Sequence, residues 1–164
     1  MKRAECPVTL ALVGCSKRKA KTPGEPYMPA KDLYIGRLCR MGYEHAMARG
    51  WDVLFLSALH GIVDPFTHLP PYDYSMINIP QSQRMQWGIG VVGELMELYP
   101  MLHLDIVFFA GKSYVDPIID AGSIQDGYWA YENPLKGLDI FARMRWFKAH
   151  STNVATPVLS PAKR

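Results

Sequence analysis

Cysteine is scarce in this chain: Cys6, Cys15 and Cys39 are odd in number and lie far apart. With no C-x-x-C pair, neither a disulfide framework nor a zinc site is expected. No His/Cys/Asp/Glu cluster has ligand spacing, so no metal or cofactor is expected either. Apolar runs are short, and none approaches the ~18 residues of a membrane span. The N-terminus, MKRAECPVTLALVGCSKRK, sets basic residues before an apolar run. Cys6 and Pro7 break that run, and a second basic cluster stands where a signal peptidase site belongs. The expectation is a cytoplasmic protein without a membrane segment. Strong charge is also missing, the formal net charge being +3. That balance permits nucleic-acid binding without demanding it, so the distribution of charge matters more than its sum.

What is present is an ordinary globular composition, 49% hydrophobic and 20% charged, which excludes disordered and fibrous classes. At 164 residues the chain fits one domain, predicted over 1–150, followed by a flexible tail over 151–164. Val8–Val13, Asp52–Ser57 and Leu104–Ala110 are apolar runs of buried-strand length. Helices are predicted from Asp32 to Gly50, with Asp32 as N-cap and Tyr34, Leu38, Met41 and His45 on one face, and from Pro80 to Tyr99. The second of these carries Met85, Ile89, Val92, Met96 and Tyr99 at spacings of four and three. Further helices are predicted at about 113–121 and 138–150, with a short strand near 128–132. Strands alternating with helices predict an α/β fold: three layers, with a mostly parallel sheet between helices.

Ligands in such sheets sit beyond the carboxyl ends of the strands, and the unusual residues follow strand ends. GCSKRKAK carries Lys17, Arg18, Lys19 and Lys21 with no acid between them, either as a solvated loop or as an anion site beside Ser16. LSALHGIVDPFTHLPPYDYSM follows the second strand, from Ser57 onward, with Gly61 in a turn and His60 and His68 as loop histidines. A connection this long and stiff is characteristic of loops that build sites. Within it Asp73 stands between Tyr72 and Tyr74 after two prolines, where aromatic neighbours both stack a planar ligand and tune a carboxylate. GKS at 111–113 lacks the upstream glycine of a P-loop, which leaves Lys112 as a lone cation.

The succession CSKRK, PAKDLYIG, LSALHGIV, PYD and PLKGL resembles a family of small bacterial and phage proteins over most of the chain. More distantly, PAK, LSALHGIVDP and PY are similar to elements of the YaaA peroxide-stress proteins, which bind DNA, and of the core domain of archaeosine synthase, which acts on a 7-deazaguanine in tRNA. This chain has His60 where those relatives often carry an aromatic, and it lacks the helix-hairpin-helix of YaaA. The resemblance implies handling of nucleic acid or modified bases, with a hypermodified phage base as substrate and antiviral defence as role.

Together these features predict an enzyme that breaks an N-glycosidic bond, specifically a DNA glycosylase, with DNA favoured over RNA as partner. Such an enzyme flips its base out of the stack and stabilises positive charge on the sugar. Asp73 is the expected catalytic carboxylate, and His60 a polar contact to the base or leaving group. Tyr72, Tyr74, Ser16 and Ser57 are expected to hold the base, and Lys17, Arg18, Lys19, Lys31, Lys112, Lys136 and Arg143 the backbone. A lyase variant uses Lys17 or Lys31 as a Schiff-base amine. Two other readings use the same residues: a non-catalytic DNA- or RNA-binding protein, and a hydrolase or transferase for free nucleosides or nucleotides.

Overall fold

A computed structural model describes residues 7–100, 103–121 and 129–151. The elements, in order, are β1 (Val8–Gly14), β2 (Met28–Pro29), α1 (Ala30–Leu33), α2 (Arg37–Ala48), β3 (Asp52–Ser57), β4 (Gly61–Val63), β5 (His68–Leu69), a 3-10 turn (Met76–Asn78), α3 (Gln81–Leu98), β6 (Leu104–Phe109), α4 (Lys112–Asp120), β7 (Trp129–Glu132) and α5 (Ile140–Ser151). The main sheet has the order β4-β3-β1-β6-β7. Its strands are parallel except β4, which turns back against β3. This is the three-layer α/β fold expected.

The apolar runs alternate between two buried faces, as strands covered on both sides must. Leu10, Leu12, Leu54, Leu56, Ile106 and Phe108 pack against Val91, Val92 and Leu95 of α3 and Val115 and Ile118 of α4. Ala11, Val13, Val53, Phe55, Val107 and Phe109 face Cys39 and Ala46 of α2 and Phe147 of α5. β1 is central, and the chain leaves it for β3 on one side before crossing to β6 on the other. The helices that follow β1 and β6 therefore lie on opposite faces, which opens a crevice between those two strand ends.

Four expectations are corrected. The single helix from Asp32 is two, because residues 18–20 pair with the chain at 33–35: Ala20 N–H donates to Leu33 O at 2.9 Å and Ile35 N–H to Arg18 O at 3.2 Å. This long-range pairing holds Tyr34 extended and leaves Asp32 inside α1, beside Lys31, with no capping role. On α3 the stripe of Met85, Ile89 and Met96 is exposed, and the buried face is Gly88, Val91, Val92 and Leu95. The long loop after β3 contains β4, β5 and the 3-10 turn, with Gly61 at φ 70° making the reversal. Ser151 ends α5; the rest of the expected tail, Cys6 and Tyr128 lie outside the described residues.

Gly88 explains the rotation of α3. A Cβ there meets the Pro117 carbonyl oxygen of α4 at 2.1 Å and its carbon at 2.5 Å. Gly88→Ala is expected to destabilise the fold by about 2–3 kcal/mol, because backbone atoms yield less readily than side chains. That exceeds the ~1 kcal/mol alanine contributes through helix propensity. A lowered urea midpoint checks it, and a raised one contradicts this packing.

Candidate nucleic-acid and base site

At the carboxyl end of β3, Ser57 is fully buried and organises the turn that follows. Its Oγ accepts the N–H groups of Leu59 at 3.3 Å and His60 at 3.1 Å, and lies 2.8 Å from the Tyr72 hydroxyl. Two N–H donors fill the serine's acceptor sites, so its own proton goes to the Tyr72 oxygen. Tyr72 in turn donates to Tyr34, 2.6 Å away. Burial pushes both phenols well above the usual tyrosine range, so this chain of three hydroxyls is neutral.

The Tyr72 ring is enclosed by two side chains. Lys19 Nζ lies 4.2 Å from its centroid, while the His60 ring meets it edge-on at 4.9 Å. A base that stacks on this face must first displace Lys19. Lys19 also donates to Ser16 O at 3.2 Å. Burial lowers its pKa from the ordinary lysine value, an effect partly opposed by Cys15 and the Asp73 carboxylate. His60 is likewise held below its ordinary value by burial, and its Nε2 is buried with no protein partner among the described residues.

After Pro71 the chain alternates. Tyr72 and Tyr74 turn inward, Tyr74 against Ala58, Met76 and Ile79, while Asp73 between them is exposed. The two tyrosines thus belong to different clusters, and the carboxylate stands on the outer side of the wall they form.

Next to this wall, in the crevice between β1 and β6, lies a cleft of about 410 Å³. Lys17, Arg18, Arg37 and Arg143 line it, and among the described residues no carboxylate does. Gly36 and Gly111, the N-cap residues of α2 and α4, also line it, and neither helix is capped by its own side chain. Two positive helix ends and four cations give this cleft a positive potential. Arg143 is fixed there by Leu138 O at 2.9 Å and Ala110 O at 3.4 Å. Ser16 Oγ accepts the Gly36 N–H at 3.0 Å, and a Cβ on Gly36 meets Ser16 Cβ at 2.3 Å, so only glycine lets the basic loop seat against α2.

Cys15 joins the two halves. It lines the cleft, extends the β1 ladder through its N–H to Leu56 O at 2.8 Å, and sets Sγ 3.6 Å from the Tyr114 hydroxyl. Lys19, Tyr72, Tyr74, Asp73, His60 and Ser57 form the neighbouring wall and lie outside the cleft lining.

The remaining predicted cations are less closely gathered. Lys31 pairs with Asp32 at 3.2 Å and lies 5.8 Å from the Phe66 ring centroid. Lys112 pairs with Asp116, in a separate depression with Arg84 and Asp120. Lys136 is exposed beside Leu135, which lines the cleft. Arg37, Tyr34 and Tyr114 were absent from the sequence-derived set. Arg37 had no local signal, since the break that makes it the first residue of α2 is tertiary.

No curated protein and no solved structure matches the chain. Residues 10–149, which carry every site residue above and all of the main sheet but Val8 and Thr9, match the family described as Family of unknown function (DUF6884), and the chain belongs to that family.

Proposed function

We propose that this protein is a nucleic-acid base-processing enzyme, a glycosylase that cleaves the N-glycosidic bond of a modified base in DNA. The observation that carries the reading is the adjacency of a cationic cleft, lined by no carboxylate among the described residues, to a wall bearing the exposed carboxylate of Asp73. The cleft suits phosphates, which dominate nucleic-acid affinity. Asp73 is the group to stabilise the sugar cation and orient the attacking water, as carboxylates do in glycoside hydrolysis. The His60 Nε2, buried and without a partner among the described residues, is the polar atom of this wall for a base edge or a bridging water to satisfy. The resemblance of the sequence to proteins of modified-base chemistry points the same way, towards a hypermodified phage base.

With four cations in the cleft, the logarithm of DNA affinity is expected to fall with log salt at a slope of about −3.6 for duplex or −2.8 for a single strand. Arg37→Ala is expected to reduce that slope by about 1 without changing the sequence preference. Fluorescence anisotropy over a salt series measures both. Salt-independent binding, with free nucleosides competing equally, would instead select the nucleoside-processing reading.

A further inference from the structure

We infer that Lys19 is a nucleophilic amine of this site, which forms a Schiff base with the aldehyde of an abasic deoxyribose and so adds a strand-cleaving lyase activity. The assignment rests on the glycosylase reading for its natural substrate, since base removal is what exposes that aldehyde.

Three lysines compete for the role, and their surroundings separate them. Lys17 lies exposed in the cationic cleft, where a charged amine binds phosphate. Lys31 is engaged by the Asp32 carboxylate, 3.2 Å away. Lys19 is partly buried and, among the described residues, has no carboxylate within ion-pair distance. Lys19 donates a hydrogen bond to the Ser16 carbonyl, and the Tyr72 and Tyr34 ring centroids lie 4.2 and 5.9 Å from its Nζ. The partial burial disfavours the ammonium form, the ring contacts hold the amine in place, and an amine so placed is the kind enzymes use on carbonyls. The direction of its pKa shift agrees. Backbone pairing on both sides of it, Ala20 to Leu33 and Ile35 to Arg18, fixes the loop so that the amine stays over Tyr72. Asp73, close enough to act on the charge of Lys19, supplies the base for the second half of the reaction.

The Nζ lone pair adds to C1′ of the open-chain sugar, and the carbonyl oxygen leaves as water after two proton transfers, giving an iminium. Asp73 then takes a proton from C2′. The electron pair of that C–H bond forms the C2′–C3′ double bond, and the C3′–O bond breaks with loss of the 3′ phosphate. Water finally hydrolyses the Schiff base and frees the amine.

The test uses the full chain and a duplex oligonucleotide with a single abasic deoxyribose, treated with sodium borohydride to reduce any iminium to a stable amine. A covalent protein–DNA adduct is expected, mapping by mass spectrometry to Lys19 in the wild type. It is expected to fall to background in Lys19→Arg and to persist in Lys148→Ala, at an exposed lysine of α5 outside the cleft and its wall. Mapping on the wild type makes the outcome independent of how well Lys19→Arg folds. Absence of an adduct, or an adduct mapped to another lysine, overturns the assignment. The preformed abasic site separates this claim from the reading beneath it. Base release without trapping leaves a glycosylase with no lyase step, and trapping without base release leaves a lyase that depends on another protein for its substrate.

Discussion

Asp73→Asn is expected to reduce base release by about 10²–10⁴-fold, the range for loss of a general acid–base group, while DNA binding holds or tightens. The substitution is close to isosteric and removes only the charge. Asp73 is exposed, and no side-chain hydrogen bond or ion pair of it is seen among the described residues, so thermal stability should stay within about 0.5 kcal/mol of wild type. Affinity is expected to hold because the cleft cations lie on other elements, and to tighten because a negative charge leaves the neighbourhood of phosphates. A non-catalytic binding protein gives the same binding result but no release from either form. Release and binding measured on the same DNA therefore separate the two readings.

Acid is expected to cost the fold about 3 kcal/mol through His45 alone as pH falls from 6.5 to 4. His45 is 7% exposed, with its ring among Trp51, Phe109, Trp146 and Phe147. Arg49 donates to its Nδ1 at 3.1 Å, so the native ring is a neutral acceptor. Burial first, then the charges of Arg49 and His150, bring its pKa down to about 4 from an ordinary 6.5. Between those values the unfolded chain binds the proton and the native one does not. Stability is therefore whole above pH 6.5 and is lost as pH falls towards 4. His45→Gln keeps an acceptor for Arg49 without titrating. The difference between the wild-type and variant urea-stability profiles across this window isolates the effect. Parallel profiles contradict a neutral buried ring.

Much of the scaffold is legible in the sequence because burial on both sheet faces leaves uninterrupted apolar runs. VTLALV, DVLFLS and LDIVFFA read as strands within a residue of their ends. What local pattern cannot carry is pairing at a distance. The division of the helix at Tyr34 depends on residues 18–20, and the rotation of α3 depends on Pro117 meeting Gly88. Both follow from contacts that no window of eleven residues contains. The site divides the same way. Asp73 stands out through its aromatic neighbours and its place after a strand, and the alternation of an extended segment puts it outward. Which cations gather was not legible. Arg37 reaches the cleft only because α2 starts there, and Lys19 rather than Lys17 or Lys31 lies over Tyr72 only because its loop pairs with the chain at 33–35. Tyr72 had the signature of an open stacking surface, yet its hydroxyl is tied to Ser57 and Tyr34 and its ring is covered.

The central claim, that cleft and carboxylate wall together release a base from DNA, is tested most directly by incubating the wild-type protein with genomic DNA of ordinary and of hypermodified composition. Released bases and abasic sites are both counted by mass spectrometry. Free modified base and abasic sites are expected in equal number from the hypermodified DNA. Tight binding to every DNA, with no base released from any, would contradict it and leave a nucleic-acid-binding protein.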